Sequence, residues 1–176
     1  MIDNLLFLPK HKEMAKQVFE SYSGEEIHIG GVPGTGKTEV AQQLSEMLWN
    51  EQNKISIVYS LDAYYKIPWQ IRNYYRIGNI YNVGYNEIDW RKLKADIAYD
   101  FSVCDISIVE GLYATSLVDG YNVFLNGTAH NTYGFRKERA KEDPDDEIRQ
   151  RIVKKECEEV SKYRDKSNLI IEWRKE

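Results

Sequence analysis

Residues Gly31-Val32-Pro33-Gly34-Thr35-Gly36-Lys37-Thr38 decide the fold of this chain. They fill every fixed position of the spacing G-x-x-x-x-G-K-[ST]. Glycines so placed let successive backbone N–H groups turn inward around phosphate oxygens, at positive φ where the turn needs it. Lys37 is then positioned to reach the β- and γ-phosphates of a nucleotide, and the Thr38 hydroxyl to ligate Mg²⁺. Such a loop carries this meaning only between a strand and a helix. Upstream, Glu26-Ile27-His28-Ile29-Gly30 reads as a short strand. Downstream, Val40, Ala41, Leu44, Met47 and Leu48 form one apolar stripe of a helix. The stretch is therefore a Walker A phosphate loop, and the cofactors it implies are ATP and Mg²⁺, with the helix N-terminus adding its dipole.

Outward from the loop, apolar runs alternate with helical periodicity. Helices are expected over about 9–22, from Lys37 onward, over 90–99 with Asp89 as N-cap, and over about 147–162. Strands are expected at 55–59, 105–110, 121–125 and 168–173. Segment 116–119 reads as a short helix or turn, and 131–142 as a basic helix or loop. Residues 63–85 show no clear period and contain Pro68 as a breaker. The alternation predicts an α/β fold: one five-stranded parallel sheet with helices on both faces, a single domain over 1–176, and a lid at about 129–146.

Bulk composition narrows the partners. The 176 residues suit one core, and 42% of them are apolar. A net charge of −4 gives no global pull toward nucleic acid or an anionic membrane. No apolar run is long enough to span a bilayer, and the first residues lack a signal-peptide pattern. Only Cys104 and Cys157 are present, and His11, His28 and His130 are scattered, so neither a disulfide framework nor a histidine metal site is expected. Cys104 lies in an apolar run and is expected in the core. A cytoplasmic setting fits these features.

Ligands of open parallel sheets sit at the carboxyl ends of the strands. Three segments fall there: the 31–38 loop, Asp62 and Glu110. Asp62 is placed to orient an acceptor hydroxyl or take its proton, though strand-end aspartates also serve as caps. Glu110 is placed to hold Mg²⁺ or to remain an ordinary strand-end charge. Arg136, Lys137, Arg139 and Lys141 form a basic cluster. Arg136 and Arg139 share a helix face and suit closure over a transferring phosphoryl group; a solvated turn facing the acids of 142–147 is the plainer reading. Between 64 and 91, Tyr64, Tyr65, Trp69, Tyr74, Tyr75, Tyr81, Tyr85 and Trp90 are interleaved with Lys66, Arg72, Arg76 and Arg91. Rings stack on bases or sugars and arginines hold phosphates. Tyr65, Arg72, Arg76 and Tyr85 are the candidate acceptor-binding residues, while core packing fits any single ring equally well.

Taken together, these motifs resemble the uridine kinase and phosphoribulokinase branch of P-loop kinases over most of the chain. Ser60-Leu61-Asp62-Ala63-Tyr64-Tyr65 is similar to that family's strand-two motif, Val109-Glu110-Gly111 to its strand-three motif, and Phe135-Arg136-Lys137-Glu138-Arg139 to its lid. The resemblance implies a catalytic aspartate at Asp62, a pocket aromatic at Tyr65 and a glutamate near Mg²⁺ at Glu110. The family's His-Pro-Asp segment has no counterpart. The comparable stretch runs Gly84-Tyr85-Asn86-Glu87-Ile88-Asp89-Trp90, so the acceptor side diverges.

The expected activity is Mg²⁺-dependent transfer of the ATP γ-phosphate to a hydroxyl of a nucleoside or similar small molecule. Catalysis falls to Lys37, Asp62, Arg136 and Arg139, phosphate binding to Gly31 through Thr38, and Mg²⁺ to Thr38 and Glu110. A DNA acceptor is a second reading, with a hydroxymethylated base flipped into the aromatic segment. A nucleotide-gated binding protein is a third. An ATPase of the AAA type fits less well, since those carry two consecutive acids where Glu110 is followed by Gly111.

Overall fold

The computed structural model describes residues 5–138 and 145–173. Five strands form one sheet: β1 (Glu26–Gly31), β2 (Ser56–Ser60), β3 (Ile106–Glu110), β4 (Tyr121–Asn126) and β5 (Leu169–Glu172), in the order β2-β3-β1-β4-β5 and parallel throughout. The helices are α1 (Pro9–Ser21), α2 (Lys37–Gln52), α3 (Trp69–Gly78), α4 (Trp90–Asp100), α5 (Tyr133–Glu138) and α6 (Glu147–Ser161). The expected α/β architecture is the one observed.

Two apolar layers hold the sheet, because strands covered on both faces can send alternate side chains to opposite sides. Ile27, Ile29, Ile106, Ile108, Val123 and Leu125 face α1 and α2, packing with Met14, Val18, Val40 and Leu44. Val109 and Phe124 face the other way and pack with Leu93 of α4 and Val160 of α6. The α1 and α4 boundaries follow local chemistry. Pro9 opens α1. Asp89 caps α4 by accepting from the Lys92 amide at 3.0 Å. Cys104 is half-buried at the entrance to β3 rather than in the core, because the strand begins two residues later.

Residues 61–88 fold as three short 3₁₀ turns around α3. Pro68 does not interrupt this segment; it is the N-cap from which α3 starts. Only Arg76 of α3 is buried, so no apolar stripe of the helix faces the core. Charge holds it instead. The Arg76 guanidinium donates to both carboxylate oxygens of Glu87, at 2.7 and 3.0 Å, and to Glu156 of α6 at 2.9 Å. Glu87 also accepts from the Gly84 amide at 3.1 Å, and Arg149 lies 3.4 Å from Glu156.

Removing one member of a buried ion network leaves the others desolvated and uncompensated. Arg76→Ala is therefore expected to lower the unfolding free energy by about 3–5 kcal/mol, read by urea denaturation at pH 7. A loss below about 1 kcal/mol, the scale of an exposed ion pair, would show that the network does not anchor α3.

Candidate active site

The parallel register sets three strand ends side by side. Ile29 of β1 and Ser60 of β2 both pair with Glu110 of β3. The phosphate loop leaves β1 immediately after this row, and α2 begins at Lys37. Gly34 and Gly36 have φ of +78° and +73°, the left-handed region that glycine tolerates best. The loop is also enclosed from outside. A side chain at Gly36 would run into the His11 ring, and one at Gly34 into the Arg136 side chain. His11 is itself fixed, its Nδ1 accepting from the Leu8 amide at 3.0 Å.

Lys37 is buried and curls over the loop, its ammonium donating to the carbonyls of Gly31 at 3.3 Å and Val32 at 2.8 Å. Thr35 braces the same turn through its hydroxyl, 2.8 Å from the Val32 carbonyl. The Thr38 hydroxyl donates to Glu110 at 3.2 Å. The two residues assigned to Mg²⁺ from sequence are thus in contact. Their oxygens are hard donors, and a magnesium ion bound through few protein ligands plus phosphate oxygens needs no larger carboxylate cluster; none of three or more His, Cys, Asp or Glu side chains occurs among the described residues. A cradle of bare amides around a buried cation likewise fits a nucleotide's phosphates.

Glu110 is 3% exposed, and its carboxyl is pushed up to about 7. Burial is the main cause and the Asp62 charge the second, opposed by the Ser60 hydroxyl, the Lys37 charge and the Thr38 hydroxyl. Asp62 itself is exposed on the 3₁₀ turn that follows β2. That turn passes close to Gly111, where a Cβ would come 2.6 Å from the Leu61 Cβ. Here is the physical reason for a glycine after the glutamate: without it the Asp62 turn could not approach the β3 end.

Other sequence-derived candidates divide. Tyr65 lies just beyond Asp62, with the Arg72 guanidinium stacked 3.4 Å from its ring centre and Arg76 at 5.7 Å. Burial, Glu156 and Asp62 all push its hydroxyl up. Arg72 also donates to the Ile67 carbonyl at 3.3 Å. Arg76 is placed differently from expectation: its guanidinium is committed to Glu87 and Glu156, so it shapes the wall behind Tyr65 instead of offering a charge to a ligand. Tyr85 stacks on Trp90 with ring centres 4.6 Å apart, and among the described residues no hydrogen bond or ring contact joins it to Asp62 or Tyr65. Arg136 covers the phosphate loop and donates to the Ala129 carbonyl at 2.9 Å. Arg139 and part of the expected 129–146 lid lie outside the described residues.

Tyr113 went unread in the sequence. It is fully buried, with its hydroxyl unpartnered among the described residues and pushed up by burial, Tyr65 and Glu156. Its place two residues past Gly111, at a strand end, is the signal that could have marked it. Glu87 and Glu156 carried no such signal, because each comes from a different element and only the tertiary fold pairs them with Arg76.

No family model matches the chain, and no curated protein does. Solved structures do. A candidate fructose transport system kinase from Silicibacter sp. TM1040 superposes with a TM-score of 0.62 at 12% identity, covering 92% of this chain and 98% of that one. A candidate uridine kinase from Bacillus stearothermophilus gives 0.53 at 15% identity, covering 92% and 97%. The chain shares the fold of these two structures, a parallel five-stranded sheet with helices on both faces. No helix among the described residues is long and apolar enough to cross a membrane.

Because the folded state favours protonated Glu110, the stability tied to this group is complete below its ordinary value of 4.5 and is lost as pH rises through about 7. In metal-free buffer that loss should reach about 3 kcal/mol. Glu110→Gln should flatten the profile between pH 5 and 8. Denaturation midpoints measured with EDTA across that range check it, and equal slopes for both proteins would refute it.

Proposed function

We propose that this chain is an ATP- and Mg²⁺-dependent phosphotransferase acting on an alcohol hydroxyl of a nucleoside-like acceptor. One observation carries the reading: the contact of Thr38 with buried Glu110 joins the phosphate loop to a strand end on which the charge of Asp62 acts directly. Phosphate-binding, metal-binding and hydroxyl-orienting groups thus share one corner of the sheet.

When bound, ATP supplies the γ-phosphoryl group and Mg²⁺ offsets the charge on its β- and γ-oxygens. Lys37 and the amides of the 31–38 loop hold the phosphate oxygens. Thr38 and Glu110 hold the metal. Asp62 orients the acceptor hydroxyl and receives its proton. The acceptor oxygen forms the new bond to the γ-phosphorus, the bond from that phosphorus to the β,γ-bridging oxygen breaks, and ADP leaves with the electron pair. Arg136, already lying on Gly34, balances charge on the equatorial oxygens, a role that Arg139 would share. Tyr65 and Arg72 form the wall against which a planar group can lie.

This division of roles separates transfer from binding. Asp62→Asn should lower the rate of acceptor phosphorylation by about 10²–10⁴-fold while leaving ATP affinity within about threefold, because Asp62 does not belong to the loop. Labelled-phosphate transfer across nucleosides and other small alcohols, paired with a fluorescent-nucleotide titration, reads both. Turnover that persists in the variant, or hydrolysis of ATP without any acceptor, would point instead to a nucleotide-gated binding protein or an ATPase.

A further inference from the structure

The strip around α3 is not used by the donor half of the site, and its chemistry is unusual for this chain. Trp69, Tyr74 and Tyr81 are 74%, 76% and 83% exposed, and Tyr75 and Ile71 are also bare. From Ala63 to Asn86, 24 consecutive residues contain no aspartate or glutamate, in a chain that has 28 of them. Its cations are Lys66, Arg72 and Arg76. Arg76 is buried against Glu87 and Glu156. Lys66 and Arg72 make only backbone hydrogen bonds, to the carbonyls of Asn86 and Ile67, and neither has a carboxylate partner among the described residues. Lys155 of α6 lies 5.7 Å from the Tyr81 ring, but its ammonium is already paired with Glu159 at 2.9 Å.

Exposed apolar patches of this kind mark interaction sites, and charge selects the occupant. A second copy of the chain meeting this face about a two-fold axis would set the acid-free segment Ala63 to Asn86 against itself, so that Lys66 and Arg72 would meet no acid of that segment. An apolar protein partner would leave the same cations unmatched. Bare rings alternating with unpaired cations fit a single-stranded nucleic acid, whose bases stack on aromatics and whose phosphates take the positive charges. The strip also adjoins the transfer corner, since Arg72 of α3 stacks directly on Tyr65.

We infer that the α3 strip binds a single-stranded nucleic acid and that the acceptor hydroxyl is delivered on that strand. The inference rests on the phosphotransferase reading for the transfer step and deepens it by naming the acceptor as polymeric. In DNA, an alcohol hydroxyl is available at the strand end or on a hydroxymethylated base; the latter would be turned out of the stack toward Asp62. The bond changes are those given above, with the strand's oxygen as the nucleophile.

Binding is read by fluorescence anisotropy of a labelled DNA 20-mer, at 20 to 300 mM KCl, for the wild type and for Trp69→Ala/Tyr74→Ala. Both rings are exposed, so the variant should fold as the wild type does. It should bind at least about fivefold more weakly for each ring removed, and Lys66→Ala should reduce the salt slope by about 0.7. A matched duplex should bind less tightly than the single strand. No binding at 20 mM KCl, equal binding by wild type and double variant, or a wild-type dimer that the double variant dissolves in light scattering would each overturn the inference. Transfer is assayed separately with a free nucleoside, a 5′-hydroxyl oligonucleotide and an oligonucleotide carrying a hydroxymethylated pyrimidine. The double variant should retain transfer to the free nucleoside and lose at least about tenfold on whichever oligonucleotide is the substrate. Oligonucleotide binding with no transfer to any acceptor would sink the phosphotransferase reading and leave the docking surface standing. Transfer to the free nucleoside alone, without oligonucleotide binding, would do the reverse.

Discussion

Leu61 packs against the bare Cα of Gly111, and this contact sets the spacing of the site's acids. Parallel pairing aligns the end of β2 with the end of β3 but does not determine how the chain turns afterward. The 3₁₀ turn carrying Asp62 can lie close over β3 only because residue 111 has no side chain and adopts φ of +145°. From that approach follows the electrostatic hold of Asp62 on Glu110. Thr38 then reaches the same carboxylate from α2. One absent methyl group thus brings the 31–38 loop, Glu110 and the Asp62 turn together at one corner of the sheet.

Burial of Glu110 makes this centre costly. A carboxylate in an apolar strand end resists ionisation, and a second acid nearby adds to the resistance. The Thr38 and Ser60 hydroxyls and the Lys37 charge offset only part of that. A divalent cation is the group whose charge would reverse the balance, since bound metal ions dominate the local field. The protein without metal therefore holds an acid that is half-protonated near neutrality, matched to a ligand that would ionise it.

The 31–38 loop between β1 and α2 was legible in the sequence for a physical reason. A phosphate loop is made by backbone geometry, so its requirements fall on consecutive residues, Gly31 to Thr38, and can be read as a string. The five strands were legible too, because Ile27, Ile29, Ile106, Ile108, Val123 and Leu125 are buried in runs that only a doubly covered parallel sheet produces. The α3 region was not. Its one buried residue is Arg76, so the apolar side chains of the helix face outward and mark no core stripe. Arg76 itself was misjudged as a ligand-facing charge, because nothing local discloses that Glu156, 80 residues away, neutralises it. The Tyr85–Trp90 stack was not legible for a similar reason: the two rings are only five residues apart, but their contact depends on how the intervening turn closes.

The two halves of the molecule thus use opposite strategies. Around the 31–38 loop, short side chains and main-chain turns at positive φ form a close-packed cradle. Around α3, a buried charge network fixes the inner side of a helix whose outer side is free to vary in chemistry. Arg76 is central to that separation. By satisfying Glu87 and Glu156 internally, it anchors α3 without apolar contacts, and the rings on the other faces of the helix need not be spent on the core. A helix held by apolar packing would have buried Tyr74 or Ile71 and lost the exposed surface. The cost of desolvating three charges is thus linked to the freedom of Trp69, Tyr74 and Tyr81 to face solvent.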